Sequence, residues 1–213
     1  LSFHIISQIG YMLMGLAIGT PLAIAGTVLY VIHNILVKAN LFLLAGWIER
    51  AAGSSHLKKI GGLYTRQPWL GVVFLIPAMS LAGTPPLSGF WAKFVVLKAG
   101  LEGGNFVLVG VALLVSALTL YSMVKIWLEA FWKDVPEQTE EALARFSQDK
   151  KSMWLGALPI VTLSALTLTI GIWLEPVLSF STRAAEQLGD KRAYVHAVLG
   201  SEAPATAQAT EVP

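Results

Sequence analysis

The stretch Tyr30-Val31-Ile32-His33-Asn34-Ile35-Leu36-Val37-Lys38-Ala39-Asn40-Leu41-Phe42-Leu43-Leu44-Ala45-Gly46 lies inside a longer apolar run, about residues 21–48, and puts a lysine near its middle. A helix crosses a hydrocarbon core of roughly 30 Å with about 20 mostly apolar residues, so this run is long enough to span a bilayer. Lys38 stands about ten residues from the nearer end, roughly 15 Å at about 1.5 Å per residue. A lysine stem is too short to carry its charge comfortably to the interface from there. An ammonium at a helix centre costs roughly 2.5–3.5 kcal/mol on insertion scales, and such residues face a bundle interior or a water-filled cavity. His33 sits about 140° around the helix from Lys38, so the two border one path rather than stack. Asn34 and Asn40 add hydrogen-bonding groups. Interhelical polar bonding is one use for such a cluster. A central lysine with a histidine and two asparagines around it points instead to a proton relay of Lys38 and His33, supported by Asn34.

The rest of the chain agrees with a bilayer setting. Of 213 residues, 55% are hydrophobic and only 13% charged, where soluble domains run near a quarter charged. Mean hydropathy is +0.65. A net charge of +2, gathered in loops rather than along a stripe, gives no footing for nucleic acid. With no cysteine, disulfides and thiolate metal ligation within the chain are excluded. The chain opens on Leu1 with its apolar pattern already under way at Phe3, which reads as a fragment of a longer protein.

Five membrane spans are expected, about residues 3–19, 21–48, 68–101, 105–131 and 153–178, followed by an amphipathic tail helix (179–200) and a disordered tail (201–213). The loop after the second span carries Arg50, Lys58, Lys59 and Arg66, and the loop after the fourth carries Lys133, Arg145, Lys150 and Lys151. The links after spans one and three carry no Lys or Arg. Basic loops stay cytoplasmic, so the N-terminal end is expected in the cytoplasm and the tail outside the cell membrane.

The third span is interrupted by Gly83-Thr84-Pro85-Pro86-Leu87-Ser88-Gly89. Pro85 and Pro86 remove backbone donors, and Gly83 and Gly89 permit unwinding. Non-helical backbone at membrane depth survives only where protein or water satisfies it, as at transporter sites. Lys93 follows one turn later, and a break beside a lysine favours an ion site over a plain kink. Lys125 and Glu129 are spaced to pair at the end of the fourth span, mainly as an interfacial ion pair. His4, with Ser7 and Gln8, extends a hydrated path or bonds neighbouring helices. Neither a phosphate-binding glycine loop nor a metalloprotease motif is present, and no metal ligand set or cofactor is expected.

The run His33–Leu43, then Ile60-Gly61-Gly62-Leu63, then Gly83–Phe90 with Lys93, resembles the antiporter-like subunits shared by Mrp-type Na⁺/H⁺ antiporters and the proton-pumping arm of respiratory complex I. Ser7-Gln8-Ile9-Gly10-Tyr11 is similar to the start of a helix in the same pattern. Within the family the D-type antiporter subunit is most similar, on Lys93 and on Ala193-Tyr194-Val195-His196-Ala197-Val198-Leu199. The resemblance implies an all-α membrane fold of two inverted five-helix repeats, of which this chain supplies most of the second. It makes Lys38 the central relay lysine and Lys93 the terminal one. It implies exchange of cytoplasmic Na⁺ for external H⁺, with other antiporter subunits and the bilayer as partners. A redox-driven pump of the complex I or membrane-bound hydrogenase kind is the alternative, and a non-transporting scaffold a third. Where complex I-type helices often place a histidine four residues before the lysine, this chain has Asn34, with His33 one earlier.

Overall fold

A computed structural model describes residues 3–135, 146 and 150–190 of the chain. Every regular element among them is a helix. α1 (Phe3–Ile18) turns at Gly19, in the left-handed conformation, into α2 (Pro21–Ala52). Thr20 caps α2 by accepting from the Ala23 amide at 3.2 Å, and Pro21 fills a first-turn position where no amide donor is needed. α2 runs for 32 residues, about 48 Å. Left-handed Gly53 ends it and donates its amide to the Glu49 carbonyl at 2.9 Å.

A short 3₁₀ turn (Leu57–Lys59) and the single turn α3 (Leu63–Arg66) lead into α4 (Pro68–Ala82) and α5 (Ser88–Glu102). α6 (Phe106–Trp127) closes in a π turn (Leu128–Trp132), and α7 (Lys150–Ile172) and α8 (Glu175–Gly189) complete the described chain. By length and composition, α2 and α6 with its π turn can each cross a membrane, and α7 with α8 makes a third if the bent pair counts as one span. α1 and α4 are shorter apolar helices. α4 and α5, 15 residues each, reach about 22 Å apiece, too short to cross alone.

The end of the fifth expected span is placed differently. α7 stops at Ile172 rather than running to 178, the axis turns by 79°, and α8 starts at Glu175 rather than 179. Pro176, which has no amide to donate, suits the first turn of a new helix better than the interior of an old one. A Cβ on Gly171 would strike the Pro86 carbonyl oxygen and lie 2.9 Å from Leu87 Cα, and Trp91 Nε1 donates to the Gly171 carbonyl at 2.9 Å. The end of α7 therefore abuts the break between α4 and α5. Most of the rest of the expected tail helix, and the tail at 201–213, lie outside the described residues.

Two apolar cores flank that break. Val37, Leu41 and Leu44 of α2 pack with Leu70, Phe74 and Leu81 of α4, Phe131 and Ile160. Leu29 and Tyr30 of α2 pack with Tyr11 and Met14 of α1, Ala92 and Val96 of α5, and Val109. α2 serves both cores, α4 belongs to one and α5 to the other. Close approach of α2 to α5 depends on Gly26, where a Cβ would come within 2.9 Å of Val95 and Val96 side-chain carbons. Lipid is as apolar as leucine, so such small-residue contacts rather than exclusion from water drive helix association in a bilayer. The outer faces are apolar to match, with Phe3, Val107, Leu114 and Leu118 among the exposed side chains.

Candidate functional site

Lys93 is 4% exposed, and its Nζ donates to the carbonyls of Leu81 and Ala82 and to Ser116 Oγ, each at 2.9 Å. Those carbonyls belong to the last turn of α4, whose final four have no helical partner. Gly83 N–H covers Met79 and Ser80 at 3.0 Å each, and the Thr84 amide and hydroxyl both return to Met79 at 3.1 Å. Leu81 and Ala82 are left, and Lys93 takes both. The side chain acts as a cap that crosses the break from α5 to α4, with its charge at the negative end of the α4 dipole. Its three donors meet three acceptors, the full complement of an ammonium. The Tyr11 ring lies beneath it at 5.0 Å from Nζ to centroid, a cation–π placement.

The predicted break residues build this seat. Gly83 has φ +92°, and a Cβ there would come 2.8 Å from Lys93 Cδ, so glycine is needed both for the turn and for the lysine stem. Pro85-Pro86 joins through a cis peptide. A Cβ on Gly89 would strike the Ser80 carbonyl and sit 2.8 Å from His33 Cε1.

His33 is buried beside the same break. Its Nδ1 is 2.9 Å from Ser88 Oγ, Ser88 Oγ is 3.2 Å from Ser80 Oγ, and Ser80 Oγ accepts from the Gly89 amide at 3.2 Å. This chain of groups ties α2 to both halves of the broken helix. His33 Nε2 and Asn34 Oδ1 are buried without a hydrogen-bond partner among the described residues. The Tyr30 ring stacks on Tyr11 at 5.3 Å and meets His33 edge-on at 5.8 Å, and its hydroxyl donates to Gln8 Oε1.

Lys38 lies apart from this group, five residues or about 7.5 Å of helix rise beyond His33. It is 7% exposed and near the middle of α2. Two residues on, Asn40 Nδ2 donates to Ser164 Oγ of α7 at 2.8 Å. His4 Nε2 is 2.9 Å from Ser122 Oγ, which joins α1 to α6. The expected Lys125–Glu129 pair does not form. Glu129 instead pairs with Lys133 at 3.5 Å, a competing cation four residues further on, and Lys125 is exposed.

Ser80, Ser88 and Ser116 were not distinguished by sequence. Serine in an apolar helix commonly bonds back to its own preceding turn, as Ser181 does to Val177 at 2.8 Å, so its presence alone carries no signal. Among the described residues no three His, Asp or Glu side chains converge as a metal site.

Lys38 buried midway along the apolar α2, a second buried lysine at the hydrogen-bonded break between α4 and α5, and helices apolar enough to cross a bilayer define a multi-pass, all-α membrane protein with a polar interior. The chain belongs to the family described as NADH:quinone oxidoreductase/Mrp antiporter, TM, whose pattern matches residues 1–119. It is 49% identical over 199 residues to the D-type subunit of the Na(+)/H(+) antiporter of Alkalihalophilus pseudofirmus, covering 93% of this chain and 39% of that one. It is 39% identical to the corresponding D-type subunit of the Na(+)/H(+) antiporter of Bacillus subtilis, covering 92% and 38%. It is also 29% identical to the N-type subunit of the NADH-quinone oxidoreductase of Desulforudis audaxviator, covering 84% and 37%. The chain thus spans about two fifths of the length of these relatives. Among solved structures, the Mrp complex from Dietzia sp. DQ12-45-1b matches with a TM-score of 0.79 at 34% identity, covering 93% of this chain and 44% of the other. Respiratory complex I from Thermus thermophilus shares the fold, with a TM-score of 0.63 at 23% identity over 85% of this chain and 38% of the other.

Proposed function

We propose that this chain forms part of the proton path of a multisubunit monovalent cation/proton antiporter in the cell membrane, where cytoplasmic Na⁺ is exchanged for external H⁺. The observation that carries the reading is Lys93: a buried amine held by helix-end carbonyls and a serine, with no carboxylate among its described contacts. A charge needed only for structure would gain from an acidic partner, whereas an amine whose partners are neutral changes charge without stranding a counter-ion. Lys38 is the central relay group and Lys93 the terminal one. Water wires opening in turn on either side bring and remove the proton, with His33 and the Ser88–Ser80 hydroxyls between α2 and the broken helix. The basic loops face the cytoplasm, and other antiporter subunits complete the ion path. The work is transport, not catalysis of a covalent step.

A second reading, a proton-pumping subunit of a redox-driven translocase, draws on the likeness to the Desulforudis NADH-quinone oxidoreductase chain. The 49% identity to the Alkalihalophilus antiporter chain favours the first. The test uses everted vesicles carrying the full-length protein with its partner subunits and reads dissipation of a pH gradient on adding Na⁺. Lys93→Ala and Lys38→Ala are each expected to reduce it to background. Full activity in both would refute the relay.

A further inference from the structure

We propose that Ser116 is a positioning residue that holds the Lys93 amine in both of its proton states, by turning its hydroxyl between Ala82 and Lys93. The proposal rests on the reading of Lys93 as a proton carrier. Ser116 Oγ is 2.7 Å from the Ala82 carbonyl and 2.9 Å from Lys93 Nζ. With an ammonium, which has three donors and no acceptor, Ser116 Oγ can only accept from Nζ, which leaves its hydrogen to the Ala82 carbonyl at 2.7 Å rather than to the Tyr11 hydroxyl beside it. Nζ donates to Leu81, Ala82 and Ser116, and the Ser116 hydrogen goes to Ala82.

A neutral amine has two donors and a lone pair. The two donors stay on the Leu81 and Ala82 carbonyls. The lone pair then needs a hydrogen, and among its hydrogen-bonding contacts only Ser116 has one to give. Turning about Cβ–Oγ moves that hydrogen from Ala82 to Nζ with no heavy atom displaced. Ala82 keeps the amine as donor, so none of these buried polar atoms is orphaned in either state. Ser116 keeps its own proton throughout, and the proton that leaves Lys93 goes to the water path.

Other titratable groups on the helices packed against α5 are His4 and Tyr11 on α1, Tyr30, His33, Lys38 and Arg50 on α2, and Tyr121 and Lys125 on α6, with Lys98 on α5 itself. α4 supplies none, and the described part of α7 supplies none beyond its first turn. The carboxylates on these helices, Glu49 of α2 and Glu102 of α5 itself, stand in their last turns. Among the described residues no other side chain hydrogen-bonds to Nζ.

The experiment measures the rate of cation-dependent proton exchange against pH in vesicles containing the complete complex, for wild type, Ser116→Ala, Ser116→Thr and Lys93→Ala. Alanine removes a hydrogen bond that is stronger to the ammonium than to the amine. It is expected to lower the rate about tenfold and to move the alkaline limb of the profile toward acid by about one pH unit. Threonine, which keeps the hydroxyl, is expected to restore both. A Ser116→Ala profile unmoved in pH, even at reduced rate, overturns the proposal, as does Ser116→Thr behaving like alanine. Lys93→Ala separates the two levels: loss of exchange there with an unmoved Ser116→Ala profile sinks the role of Ser116 alone, whereas retained exchange sinks the reading of Lys93 itself.

Discussion

Lys93 caps α4 through its amine, the same group that the proposed function makes a proton carrier. Both lysines were legible in the sequence, because a charge inside an apolar run stands out against its insertion cost. The acceptors around Lys93 were not, since backbone carbonyls leave no trace in residue identity and Ser116 lies 23 positions away. Gly83 connects the two roles. Gly83→Ala forces a side chain into a left-handed turn and against the Lys93 stem. It is expected to destabilise the protein by about 1–2 kcal/mol, read as a lower unfolding midpoint in detergent, together with loss of exchange. His33→Ala removes the link between α2 and Ser88 and is expected to slow exchange by about a hundredfold or more, as for a lost proton-transfer group. Equal rates for His33→Ala and wild type would remove His33 from the path.

At the scale of elements, the break between α4 and α5 could be read from two adjacent prolines flanked by two glycines, each with a known backbone effect. The bend between α7 and α8 could not be placed. Trp173-Leu174-Glu175-Pro176 has the composition of a span's outer end, and apolar composition does not record how deep a helix stops. The 79° turn of the axis and the contact of Gly171 with Pro86 and Leu87 reveal it. The meeting of the two breaks makes a prediction. Gly171→Leu pushes a bulky side chain into the Pro86 carbonyl and is expected to displace the Trp91–Gly171 bond. The displacement would appear as a shift in Trp fluorescence and a fall in assembled protein. An unchanged spectrum and yield would show that the two segments are not packed as described.

At the scale of the whole molecule, α2 joins two cores that α4 and α5 occupy separately, and His33, Ser80, Ser88 and Lys93 lie where those cores meet. Small shifts of one core against the other would therefore act first on these polar contacts, a suitable arrangement for a gate. The all-helical fold was readable from hydropathy alone, and the family from motif order, whereas the pairing of helices was not, because hydropathy does not say which helix lies next to which. In the proposed function the Lys93 amine must release its proton, and Lys93→Arg tests this most directly, since a guanidinium keeps the charge but does not deprotonate. In vesicles holding equal amounts of assembled complex, Na⁺-dependent dissipation of the pH gradient is expected to fall to background in Lys93→Arg. Exchange at the wild-type rate in that variant would show that position 93 needs no group that deprotonates.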